Sequence, residues 1–201
     1  MTRAYYREEI LEAIARRTLT KYDRWILNGA PKAVPIERII EDVYKLELCF
    51  LYLTNNGRVL GKTIFDNGFT PYYDAANHRY ELLPVKKGTM LIDASLEAKK
   101  QYGRLRFTEA HELAHWILHQ EVYAGTGEAA ALMSSDQDTA TEWQANALAT
   151  ALLMPYGQIK RCYYALRAKY TDNRVIVDHM AELYGVSRQA MKIRLESKRL
   201  I

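Results

Sequence analysis

His111-Glu112-Leu113-Ala114-His115 constrains the fold more than any other stretch of this chain, because five residues fix a local conformation and also demand partners from elsewhere. Two histidines four apart share one face on an α-helix, where both imidazoles can aim a nitrogen at a single point. Zinc accepts such nitrogens at roughly 2.0 to 2.1 Å. Glu112 follows the first histidine directly, which leaves its carboxylate beside the metal, able to take a proton from an attacking water. The spacing therefore predicts a helix that carries two metal ligands, His111 and His115, and a catalytic base, Glu112. That is the working half of a metallopeptidase.

The flanks agree with a helix. Thr108 stands three residues before His111 as a candidate N-cap, and Trp116, Ile117 and Leu118 keep the segment apolar, as in a buried helix. A zinc site that activates water needs a third protein ligand and one open position. Glu142 is the candidate, at the start of an Ala- and Leu-rich segment that reads as a second helix and ends before Pro155. Asn146, one turn on, can hydrogen-bond a ligand histidine from behind. Two His and one Glu make the gluzincin layout. The metzincin layout needs Gly and His where Leu118 and Glu121 stand, and is excluded. Glu121 is the substitute third ligand. His119 continues the histidine series by four residues, but each such step turns the side chain about 40° further round the axis. It is read as a packing histidine or a partner behind a ligand.

At these residues the sequence resembles the ImmA/IrrE metallopeptidases, bacterial gluzincins of mobile elements and stress regulation. The resemblance runs from Arg106-Phe107-Thr108 to His119 and from Glu142 through Ala145-Asn146 to Leu152-Leu153-Met154-Pro155, with a weaker match at Pro35 to Tyr44 and Leu60-Gly61-Lys62-Thr63. It implies that His111, His115 and Glu142 bind Zn2+ and that Glu112 is the base. The same ligands accept Mn2+ or another divalent ion. The family's better-known members cleave helix-turn-helix transcriptional repressors, so a repressor of that kind is the expected protein substrate. Glu109 stands where the family usually has an apolar residue.

The chain has 201 residues and 49% hydrophobic content, enough for one substantial core and a small accessory unit. We expect a zincin-like metallopeptidase domain over residues 1–155, with N-terminal helices and a sheet, and a helical C-terminal subdomain over 156–201. No apolar run approaches the ~20 residues of a membrane span, and Met1 to Leu11 is charged, so a cytoplasmic protein is expected. Cys49 and Cys162 make neither a disulfide framework nor a cysteine metal site.

Helical spacing marks Tyr5 to Leu19 and a short stretch from Ile36 to Tyr44. Five β-type runs follow, at Leu46 to Leu53, Arg58 to Phe65, Phe69 to Tyr73, Tyr80 to Val85 and Met90 to Ile92, with Asn55-Asn56-Gly57 and Asp66-Asn67-Gly68 as turns. Strands first and helices after predict an α+β fold, a small antiparallel sheet packed on the zincin active-site helix. Peptidases of this layout hold an extended substrate against a sheet edge beside the metal, an edge the sequence does not identify. Tyr156 is a candidate oxyanion donor.

Residues 157 to 201 carry ten Lys or Arg against four Asp or Glu. Within them Ala181, Gly185, Val186-Ser187 and Met191 follow helix-turn-helix spacing, which would expose Arg188, Gln189, Lys192 and Arg194 on a second helix and permit DNA contact. The competing expectation, a helical hairpin packed on the catalytic domain, is preferred.

Overall fold

A computed structural model describes residues 6–99, 101–123 and 139–201. Five strands, eight α-helices and one π-helical turn follow one another among these residues. Helix α1 (Glu8–Tyr22) turns Leu11, Ala15, Thr18 and Leu19 inward, the 3–4 spacing of a helix with one buried face. Its predicted first residue, Tyr5, lies outside the described residues. The predicted second helix forms as α2 (Ile36–Arg38) running into a π-helical turn (Ile39–Val43), with Ile36, Ile39 and Ile40 buried.

Strands β1 (Glu47–Leu51), β2 (Gly61–Thr63) and β5 (Thr89–Asp93) form one sheet in the order β1-β5-β2. Strands β3 (Gly68–Asp74) and β4 (Arg79–Val85) form a separate antiparallel hairpin. The expected antiparallel sheet is therefore corrected. β1 pairs with β5 in parallel, and only β2 runs antiparallel to it. The reason lies in β5, buried at every position, so it takes the centre of the sheet and separates strands that are neighbours in sequence. The alternation of β5 divides the core. Leu91 packs with Leu53, Ile64 and Val85, whereas Met90 joins the main helical cluster and Ile92 packs with Leu96 and Leu105. Side chains of a strand alternate between its two faces, so this sheet is covered on both.

Short helix α3 (Ser95–Ala98) leads to α4 (Tyr102–Tyr123), which carries the H-E-x-x-H sequence. α4 begins six residues before Thr108, so that threonine is buried within the helix and is not its cap. The early start is fixed by packing. A Cβ on Gly103 would lie 2.9 Å from the Ser187 backbone nitrogen, so the first turn of α4 meets a distant segment backbone to backbone. Helix α5 (Thr139–Leu153) packs along α4, and Pro155 ends it and opens α6 (Tyr156–Arg167). The link across 124–138 lies outside the described residues.

Helices α7 (Asn173–Tyr184) and α8 (Arg188–Ser197) meet at Gly185, whose φ of 63° is left-handed, and Ser187 caps α8 through its Oγ and the Ala190 N–H. Ala181 and Met191 are buried at this crossing. Arg194 departs from expectation. It is 3% exposed, donates to the Met154 carbonyl from Nε and Nη2, and pairs with Glu12 at 2.6 Å. The end of α5 supplies a carbonyl with no partner inside its own helix, and that orphan acceptor draws the guanidinium inward. No helix of the described residues is long and apolar enough to cross a membrane.

Candidate metal centre

The site is built where α4 and α5 face each other. His111 and His115 lie one turn apart on α4, with Nε2 atoms 3.0 Å from one another. Glu142, in the first turn of α5, brings Oε2 to 3.4 Å from His111 Nε2 and Oε1 to 3.1 Å from His115 Nε2. One atom from each residue can thus form a compact triangle, and no other such trio occurs among the described residues. Bonds of roughly 2.0 to 2.1 Å to a central ion place tetrahedral ligand atoms about 3.3 to 3.4 Å apart, and the three residues offer one ligand atom each within 4.8 Å of one another, near enough to close on one ion.

The charges agree with the distances. Burial opposes protonation of His111, yet Glu142, Glu112 and Asn146 outweigh it and raise its pKa. Burial would raise the carboxyl of Glu142, yet hydrogen bonds from His111 and His115 hold it far below the ordinary carboxylate range. Both directions describe a cluster short of positive charge at its centre, a shortage that a divalent cation relieves.

Behind the triangle each imidazole is held at its other nitrogen. Asn146 Oδ1 lies 3.1 Å from His111 Nδ1, as its position one turn beyond Glu142 predicts. His119 Nδ1 lies 3.0 Å from His115 Nδ1. Glu121, the substitute candidate, is exposed and stands outside the cluster. Tyr156 lines a cleft of about 540 Å³ between α1 and α6, whose lining includes none of the three cluster residues. It is the first residue of α6, directly after Pro155.

Glu112 is 5% exposed and is gripped by β2. Thr63 Oγ1 lies 2.7 Å from Glu112 Oε2 and 3.0 Å from the Glu112 carbonyl oxygen. Its single proton serves the carboxylate, the stronger acceptor. Gly61, two residues back on the same face, leaves space for the other oxygen. A Cβ there would stand 2.5 Å from Glu112 Oε1 and 2.8 Å from Thr108 Cγ2. Between them Lys62 faces the hairpin, donates to Thr70 Oγ1 at 2.7 Å, and is pulled down to about 8 by burial against the opposing charge of Glu112.

β2 is also an edge. Leu60 and Ile64 turn their backbone groups to β5, through Asp93 N–H to Leu60 O and Ile64 N–H to Thr89 O, both at 2.9 Å. Backbone groups alternate in direction along a strand, so those of Gly61 and Thr63 point off the sheet, beside the carboxylate their side-chain faces adjoin.

These elements define an α+β protein with a cluster of two histidines and one glutamate suited to a divalent cation. Residues 71–196 match the model of the M78 peptidase family described as the IrrE N-terminal-like domain, and the chain belongs to that family. The match takes in α4 and α5 with every cluster residue and leaves β2 outside. Among solved structures, a transcriptional regulator of Mycobacterium tuberculosis is similar over 93% of this chain, with a TM-score of 0.53 and 15% identity, which establishes likeness of fold. The chain spans 46% of that protein. No curated protein matches the sequence.

Proposed function

We propose that this chain is a zinc-dependent endopeptidase whose substrate is a helix-turn-helix transcriptional repressor, cut at one site to release the genes it silences. The observation that carries the peptidase reading is the pairing of the His111-His115-Glu142 cluster with Glu112 against the edge strand β2. A divalent ion held by those three residues would supply Lewis acidity toward a peptide carbonyl and toward water, and Mn2+ is chemically admissible there. The remaining work belongs to the chain. An extended peptide would pair with the outward backbone groups of Gly61 and Thr63, which sets its carbonyl beside Glu112. Thr63 holds Oε2, so Oε1, the oxygen over Gly61, takes the proton from the attacking water. As the C–N bond breaks, the same oxygen returns that proton to the departing amine nitrogen.

Support for a repressor substrate comes from the family and from the regulatory description of the similar M. tuberculosis protein. That description also favours a second reading, a metal-holding regulator that binds DNA or a repressor without cutting. Against DNA contact through α8, its N-terminal turn abuts Gly103 of α4, and Arg194 is buried.

The deciding experiment co-expresses the helix-turn-helix regulator encoded nearest this gene with the wild-type chain or with Glu112→Gln, and reads intact masses. One discrete cleavage with wild type alone supports the repressor peptidase. An intact regulator in both samples, joined by salt-dependent DNA binding that Arg188→Ala and Lys192→Ala abolish, would move the second reading ahead.

A further inference from the structure

We infer that His119 is the positioning residue that makes His115 a metal ligand, by fixing which of its nitrogens carries the proton. The inference rests on the metal centre proposed above and concerns a residue outside the ligand triangle.

A histidine that offers its Nε2 lone pair to a metal must keep its proton on Nδ1. His115 Nε2 faces the triangle, so its Nδ1 must be the donor. The atom 3.0 Å from that Nδ1 is His119 Nδ1, which must then be an acceptor. His119 is therefore the tautomer protonated on Nε2. The reverse pairing would put the His115 proton on Nε2, aimed at His111 and Glu142, and remove His115 from the ligand set. Two tautomers are locked by one hydrogen bond.

The helix explains how His119 comes to this role. Eight residues after His111 it has turned about 80° from His111 and about 40° from His115 around the helix axis, and it stands outside the cluster. The same rotation carries it behind His115, to the nitrogen facing away from the site. His119 is 3% exposed, and the Tyr123 ring stands edge-on to it at 6.2 Å and 89°. Water has little access to take its place. The Nδ1 of His111, by contrast, is held by Asn146, a residue exposed to solvent.

The test is zinc affinity of the full chain, measured by competition with a chromogenic chelator, for wild type, His119→Phe and His119→Asn. Phenylalanine keeps a ring and removes the acceptor. Asparagine places Oδ1 at the same number of bonds from Cα as the lost Nδ1. We expect His119→Phe to bind zinc 10- to 100-fold more weakly, and His119→Asn to recover most of the loss. Equal affinity of His119→Phe and wild type would overturn the inference. So would an equal loss in both variants, since packing alone would then account for it. If His119→Phe fails to fold, nitrogen-15 spectra of zinc-loaded wild type decide the matter. They should find the His119 proton on Nε2 and the His115 proton on Nδ1, and a proton on His119 Nδ1 sinks the inference. A wild-type chain that binds no zinc would instead overturn the metal centre itself, and the inference with it.

Discussion

Glu109→Gln should stabilise this protein at alkaline pH and leave it nearly unchanged at acid pH. Glu109 lies on α4 with no exposure, and among the described residues neither carboxyl oxygen has a hydrogen-bond partner. Burial, and then the negative charge of Glu37, push its pKa from 4.5 up to about 8. Arg106, one turn earlier, pulls the other way, but its guanidinium is committed to the Gly185 and Val34 carbonyls. Between pH 4.5 and 8 the folded chain therefore keeps a proton that the unfolded chain has lost. Stability falls as pH rises through that window, and the penalty is complete above 8 and absent below 4.5. Carrying a carboxyl from 4.5 to about 8 corresponds to about 5 kcal/mol as an upper limit, which relaxation around the ionised group lowers to about 2 to 4. Glutamine resembles the neutral acid at every pH. In urea titrations, with a slope of about 2 kcal/mol per molar, the variant's midpoint should exceed wild type by about 1 to 2 M at pH 8.5 and converge with it at pH 4.5. A midpoint difference that does not change with pH would refute the reasoning.

Three further outcomes follow from the geometry. Gly61→Ala should cut hydrolysis about 100-fold on any substrate the wild type cleaves while zinc affinity stays unchanged, because the added Cβ must displace Glu112 Oε1. Wild-type turnover in that variant would show that the base is not held at this edge. Glu142→Ala should lose most zinc affinity and Glu112→Gln should keep it while losing hydrolysis; calorimetric zinc titration of both separates ligand from base. Arg194→Met leaves the Met154 carbonyl and Glu12 without their buried partner and should cost about 2 to 4 kcal/mol in denaturant unfolding, so a change under about 0.5 kcal/mol would count against the staple.

How much of this was legible in the sequence depends on how local each feature is. The meeting of His111, His115 and Glu142 was legible because the two histidines are tied by helical spacing, and Glu142 heads a helix whose end Pro155 marks. The five strands were legible as runs of residue types, but not their pairing. β5 slips between β1 and β2 because its side chains are buried on both faces, a property of the whole core that no local turn signal encodes. Thr63 and Gly61 went unassigned for the same reason. A three-residue strand is too short for alternation to tell which face it presents, and their role exists only once β2 lies against Glu112. The turn of His119 out of line with His111 was predictable from helix geometry, and its contact with His115 follows from the same rotation.

The basic surplus of residues 157–201 takes a different meaning once its partners are known. Of its ten Lys and Arg, six make side-chain hydrogen bonds or ion pairs among the described residues. Arg161 donates to the Leu27 carbonyl and Arg167 to that of Tyr170, Arg188 pairs with Asp178 and Lys192 with Glu196, and Arg194 and Lys198 both hold Glu12. The exposed pairs contribute little to stability and would yield to a polyanion. Arg194 and Lys198 would not, because they join α8 to α1 and to the end of the helix that carries Glu142 and Asn146. At the other end of the site, Gly103 and Arg106 seat the start of α4 on the α7–α8 turn. One terminus of α4 and one of α5 are thus held by the same C-terminal hairpin. The basic surplus, which composition leaves open to a binding surface or a solvated face, is in its buried part what joins α8 to α1 and to the end of α5.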